Sequence, residues 1–161
     1  MTVSLSQFLA RPEAGRSSTA VPSAPTPVLG ALPVDATTFS GVRYDAPSGY
    51  AVRELRGRKM RTTAGVFDEF AAAFQFPYYF GGNKDAFDEC LRDLDDFVGS
   101  ATGYVAVIRD SAELLADELE ERDWFAETMR DAADYWSNQD LAFRVVLQGE
   151  PADPQIVRLS P

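Results

Sequence analysis

The sequence predicts an α/β fold: a three-stranded parallel sheet covered by about four helices, preceded by an N-terminal extension. Three observations lead there. Short β-branched or alternating apolar runs occur at residues 50–55 (YAVREL), 103–110 (GYVAVIRD) and 141–147 (LAFRVVL). The apolar residues between these runs recur at helical spacing. The resulting order is β-α-α-β-α-α-β, and strands joined through helices run parallel.

The first 49 residues read as a partly irregular extension rich in Pro, Ser and Ala. Six of the ten prolines lie before residue 50, and RSSTAVPSAPTPVLG (16–30) has the composition of a linker. Within it, SLSQFL (4–9) predicts a short helix capped by Ser4 or Ser6. TTFSGVRY (37–44) has the composition of a short strand. The proline content and balanced charge of this segment predict that it is dispensable, so that a chain starting near Pro47 folds alone.

The domain proper is read as residues 50–148. YAVREL alternates and stops at Gly57, as a strand and turn should. Thr62 or Thr63 caps a helix whose buried stripe is Val66, Phe67, Phe70, Ala73 and Phe74, and Pro77 marks its end. FPYYFGGNKDAFDECLRDLDDF (76–97) supplies the second helix. Phe87, Cys90, Leu91, Leu94, Phe97 and Val98 fall on one continuous apolar face at about 100° per residue. The opposite face centres on Asp85, Glu89, Arg92 and Asp96, with Asp88 and Asp93 on its shoulders. The carboxylates therefore point to solvent or to a partner. Like charges one turn apart cost a helix roughly 0.2–0.5 kcal/mol per pair. Arg92 offsets part of this, and the helix dipole favours Asp85 in the first turn.

GYVAVIRD reads as a buried central strand. Asp110 or Ser111 begins a third helix, SAELLADELEE, and a fourth runs from about 122 to 137. Its buried stripe is Phe125, Met129, Ala132 and Trp136. Glu127, Asp131 and Asp134 lie on the other side, with Trp124 and Tyr135 flanking Asp131. LAFRVVL is the last strand. The tail from Gly149 contains Pro151, Pro154 and Pro161 and reads as irregular.

Composition excludes several chemistries. The chain has no histidine, which removes Ser-His-Asp and Cys-His catalysis and histidine metal sites. Its one cysteine, Cys90, can form neither an internal disulfide nor a cysteine-based zinc site. No cofactor or metal is expected. The start, MTVSLSQFLARPEAGR, lacks a basic segment followed by an apolar run, and no stretch approaches the roughly 20 apolar residues of a membrane span. A cytoplasmic protein is expected. The net charge is −10, unevenly spread. Residues 53–61 hold five cations against Glu54, whereas residues 62–161 hold 7 Lys/Arg against 21 Asp/Glu. Such a field repels nucleic acid and anionic membrane and attracts a basic protein.

FPYYFGGNKDAFDECLRDL (76–94) resembles the barstar family of intracellular inhibitors of barnase-type ribonucleases. The likeness lies in its Pro, Tyr/Phe pair, Gly, Asn, Asp-Ala and Cys-Leu. LRGRKMRTTAGVFDEFAAAF (55–74) resembles the family's first strand, turn and helix. YVAVIRDSAELLADELEE, MRDAADYW and FRVVL follow in the expected order, so the likeness spans about residues 50–148.

This resemblance implies a barstar-like fold and inhibition by blockade. The second helix and the loop before it would cover the active site of a basic ribonuclease, with carboxylates taking the place of substrate phosphates. By position, Tyr79, Gly81, Asn83, Asp85 and Asp131 match residues that contact the enzyme. Glu89 stands where the family has its dominant aspartate, one methylene longer, and Asp88 replaces a neighbouring tryptophan. Lys84 adds a cation to the acidic lip. Asp88 and Arg92 complete the candidate partner-binding set. These departures fit a related ribonuclease with a different pocket. They also fit an immunity or interaction domain for another basic protein or a non-nuclease toxin. The free protein is expected to be monomeric. Catalysis by an Asp85–Glu89 acid–base pair is the competing class. It is disfavoured because the pair lies on a convex helix face, with no predicted pocket, histidine or metal motif beside it.

Overall fold

The computed structural model describes residues 2–12 and 27–161. The linker-like segment falls largely on residues 13–26, outside the described residues. In chain order the elements are β1 (Thr2–Ser4), α1 (Leu5–Leu9), β2 (Leu29–Leu32), α2 (Ala36–Phe39), α3 (Val42–Asp45), β3 (Tyr50–Arg56) and α4 (Thr63–Phe74). There follow α5 (Lys84–Leu91), α6 (Leu94–Phe97), β4 (Gly103–Arg109), α7 (Arg122–Ser137), β5 (Ala142–Gln148) and β6 (Val157–Ser160).

The α/β class and the parallel sheet hold, but the sheet has six strands rather than three. Its order is β1-β6-β2-β5-β4-β3, with every pairing parallel. The three strands read from the sequence form one edge and the centre. β2, from the segment read as an extension, pairs with β5 from Leu29↔Val145 to Leu32↔Gln148. β6, from the tail read as irregular, pairs with both β1 and β2.

Both sheet faces are buried, which explains why β4 and β5 are apolar almost throughout. On one face Leu55, Tyr104, Ala106, Ile108, Phe143, Val145 and Leu147 pack under α4, α5 and α7. On the other, Val105, Val107, Val146 and Leu32 pack under α1, α2 and α3 through Leu5, Phe8, Leu9, Phe39 and Val42. The second layer comes entirely from residues before β3.

Ser4 caps α1 as expected, its hydroxyl accepting from the Gln7 amide at 3.2 Å. Arg144 on β5 is buried and donates to the Phe8 carbonyl at 3.1 Å, and the Tyr50 hydroxyl donates to that of Leu9 at 2.7 Å. These bonds tie the end of α1 to the sheet. Burial holds the Arg144 guanidinium below its ordinary pKa.

Three further expectations are corrected. TTFSGVRY is not a strand. Asp35 caps α2, accepting from the Thr38 amide at 2.8 Å, and Phe39 and Val42, three apart, enter the second core. SAELLADELEE is not an α-helix but two single turns, Ser111–Glu113 and Leu119–Glu121, joined by a stretch bonded to the basic segment. There the Leu115 amide donates to the Met60 carbonyl at 2.7 Å and that of Asp117 to Arg61 at 3.0 Å. Arg61 also pairs with Asp117 and Glu113. Long-range backbone bonds thus replace the i→i−4 ladder.

The second predicted helix also breaks, into α5 and α6. The Trp136 indole donates to the Leu91 carbonyl at 2.8 Å, taking the acceptor that a continuous helix would offer to residue 95.

Gly57 follows β3 at the start of a tight turn. A Cβ there would come within 2.5 Å of the Arg109 carbonyl oxygen and closer still to that of Asp110. Backbone oxygens cannot rotate away as a side chain can. Gly57→Ala is therefore expected to lower stability by about 1–3 kcal/mol, read as a lower denaturant midpoint. An unchanged midpoint would mean the turn shifts without cost.

Candidate functional site

The loop between α4 and α5 is held from below by aromatic packing. The Thr62 hydroxyl caps α4, accepting from the Gly65 amide at 3.1 Å, and the helix ends at Gln75 in the left-handed region (φ 57°). Phe76 and Phe80 then turn inward. Their rings lie 5.2 Å apart, and Phe80 meets Phe67 edge-on at 5.8 Å. Between them, after Pro77, Tyr78 and Tyr79 point outward with 100 % and 68 % of their surface exposed, in an edge-to-face pair at 5.6 Å. Two Phe anchors and two exposed Tyr make a short aromatic knuckle on a fixed base. Gly82, with φ +63°, turns the chain into α5.

Asn83 caps α5, its side-chain oxygen accepting from the Ala86 amide at 2.8 Å. Phe87 then inserts between Phe70 (5.2 Å), Phe67 (5.3 Å) and Trp124 (5.7 Å). Cys90 and Leu91 complete the buried face. Burial raises the Cys90 thiol pKa, with Asp93 and Glu89 adding to the effect, so the group stays protonated and packs as a small apolar residue.

This burial sets the direction of every polar residue on α5. Asp85 and Glu89 are exposed and, among the described residues, make no ion pair. Asp88 and Arg92 are half-buried and pair with each other at 3.2 Å, one turn apart. Lys84 does not project into the acidic lip. Its ammonium group pairs with Glu121 at 2.6 Å and lies 4.9 Å from the Trp124 ring centroid. Internal pairing thus neutralises both cations of this helix and leaves Asp85 and Glu89 as its open charges.

Tyr79, Gly81, Asn83, Asp85 and Glu89 come together along the exposed loop and helix. Asp131 is exposed on α7, which packs against α5 through the Trp136–Leu91 bond. Asp96 leaves the ridge because it falls on α6, beyond the break. Two features of this surface escaped the sequence reading. Tyr78 sits beside Tyr79 and is the more exposed of the two, and its exclusion from the periodic stripe was the available signal. Glu121 lies 37 residues from Lys84, and nothing in the sequence links the two.

Fold and surface define the class: an α/β domain that presents an aromatic loop and an acidic helix face on a rigid core. Among the described residues no cluster of His, Cys, Asp or Glu could hold a metal ion, and no helix is long and apolar enough to cross a membrane. The chain belongs to the Barstar (barnase inhibitor) family, whose model matches residues 50–148. The match runs from the first residue of β3 to the last of β5, so β1, β2, β6 and the second helical layer lie outside it. No curated protein matches the chain.

Proposed function

We propose that this protein binds a basic ribonuclease of the barnase type and blocks its active site with α5 and the loop before it. Family membership supports a barnase-inhibitor role at the level of the family. The observation that carries the finer reading is the pair of exposed carboxylates, Asp85 and Glu89, free of internal ion pairs among the described residues, beside the Tyr78–Tyr79 knuckle. Carboxylates on a pre-formed helix can meet the cations that a ribonuclease uses for substrate phosphates. The tyrosines offer rigid contact area at little entropic cost. Asp131 and the Asp88–Arg92 pair lie to the sides and would complete the contact. A glutamate at the family's dominant position, and an ion pair where the family has a tryptophan, favour a related enzyme over barnase itself. Cytoplasmic residence of the inhibitor is part of the proposal.

The test is inhibition of purified basic ribonucleases of this type across a salt series. Stoichiometric inhibition is expected, with association slowing as ionic strength rises, because exposed charges are screened over roughly 8–10 Å at 0.10–0.15 M. Absence of binding to every such enzyme, or association indifferent to salt, would overturn the proposal.

A further inference from the structure

β3 is the edge of the sheet at the end opposite β1, and among the described residues no strand pairs with its outer side. The direction of its backbone groups follows from its neighbours. The Gly49 carbonyl accepts from Thr102 beside β4, so odd-numbered residues face β4. The Tyr50 amide donates to the Pro47 carbonyl at 3.2 Å, and the Arg56 amide to the Glu69 carboxylate at 3.1 Å, so even-numbered residues face outward. Both ends of the edge are thereby closed by the chain itself. Between them, the outward amides of Val52 and Glu54 have no hydrogen-bond partner among the described residues. They open onto a groove of ≈ 280 Å³ lined by Val52, Arg53, Glu54, Arg43 of α3, Ala72 and Ala73 of α4, and Gln75 at its end. Two alanines leave room for another chain beside the strand.

We propose that this edge receives an extended acidic peptide segment of a partner protein, added as a further strand. Unpaired strand edges are templates for such addition. The charge of the groove selects the occupant. Val52 packs with the second core and Ala51 and Leu55 with the first, so Arg53 stands on the α4 side of the edge. Arg53 has no carboxylate within ion-pair distance among the described residues, whereas Arg56 is held by Glu69 at 2.7 Å and Arg43 pairs with Glu54 at 3.5 Å. Arg58 and Lys59, exposed just beyond the strand, extend the basic strip. An incoming strand that bonds to Val52 and Glu54 places its intervening residue opposite Arg53, on the same face, where opposite charges attract. A second copy of this chain fits poorly. In the two-fold antiparallel register that pairs Val52 with Glu54, Arg53 meets its own counterpart, and like charges directly opposite are destabilising.

The test uses two blocked pentapeptides, Thr-Val-Glu-Val-Thr and Thr-Val-Lys-Val-Thr, titrated into the full chain and followed by backbone amide NMR. The glutamate peptide is expected to shift the Val52 and Glu54 amides and slow their hydrogen exchange, leaving Asp85 and Glu89 unchanged. The lysine peptide should bind at least tenfold more weakly. Arg53→Glu, on a half-exposed side chain, should reverse that preference. Equal binding of both peptides, or no shift at these two amides at millimolar peptide, would overturn the proposal. Concentration-dependent dimerisation of the protein alone that already protects the Val52 and Glu54 amides would overturn it in favour of a second copy. None of these outcomes depends on ribonuclease inhibition, which uses α5.

Discussion

A chain that starts at Pro47 should not reach the native fold. Without residues 1–46 the sheet loses β1, β2 and the whole of its second helical layer. Leu5, Phe8, Leu9, Leu32, Phe39 and Val42 would be missing from a core in which Val105, Val107 and Val146 are fully buried. Full burial of one such side chain contributes about 1.5–3 kcal/mol, so six of them rival the roughly 5–15 kcal/mol net stability of a whole domain. Arg144 adds to the loss, because its partner at Phe8 disappears while the guanidinium stays on a strand meant to be covered. Circular dichroism and calorimetry of the truncated chain are expected to give no cooperative transition, or aggregation through the uncovered face. A sharp transition within a few degrees of the full chain would show that the three family strands with α4–α7 suffice.

The sequence carried the family region well because its signals are local and agree with one another. Alternation in YAVREL, helical periodicity in α4 and α7, and the two apolar runs each matched the structure within a residue or two. The outer half of the sheet was illegible for a physical reason. β1, β2 and β6 are only three to four residues long, too short for a period to emerge, and their pairing partners are distant in sequence. The surplus of apolar residues on β4 and β5 was the indirect clue. A central strand buried on both faces needs a second covering layer, and only the segment before residue 50 could supply it.

Long-range hydrogen bonds, one from a side chain and two between backbone groups, account for the remaining differences. The indole of Trp136 splits the second helix, and Met60 and Arg61 draw residues 111–121 out of helical geometry. The candidate site was legible in its polarity, since Asp85 and Glu89 follow from the wheel. Its charge balance was not, because the Lys84–Glu121 pair exists only after folding.

That balance decides which substitution should matter most in the proposed complex. Glu89 is exposed in the last turn of α5, one turn after Asp85, and by the resemblance takes the position of the family's dominant contact. The barnase–barstar pair is itself the type example of strong coupling between close interfacial charges, so the magnitude here is an analogy to it. Truncating one partner of a buried, hydrogen-bonded charge pair costs about 2–5 kcal/mol, much of it from the charge left unmatched. Exposed rim pairs contribute about 0.2–1 kcal/mol. Glu89→Ala is therefore expected to weaken the complex at least tenfold, mainly through faster dissociation, with Asp85→Ala next. Asp96→Ala should alter the association rate modestly and the dissociation rate little, because α6 carries that carboxylate away from the ridge. Asp88→Ala combines two effects. It removes a carboxylate but also frees Arg92, which would face the basic partner without its counter-ion. Neither Glu89→Ala nor Asp85→Ala should disturb folding, since both side chains are exposed and neither takes part in an ion pair among the described residues. Dissociation kinetics of the four variants against the cognate ribonuclease separate the cases. Equal effects from Glu89 and Asp96 would mean that the acidic surface acts only as a diffuse field. A larger effect on dissociation from Asp88 than from Glu89 would mean that the main contact has moved by one residue, with the Asp88–Arg92 pair opening on binding.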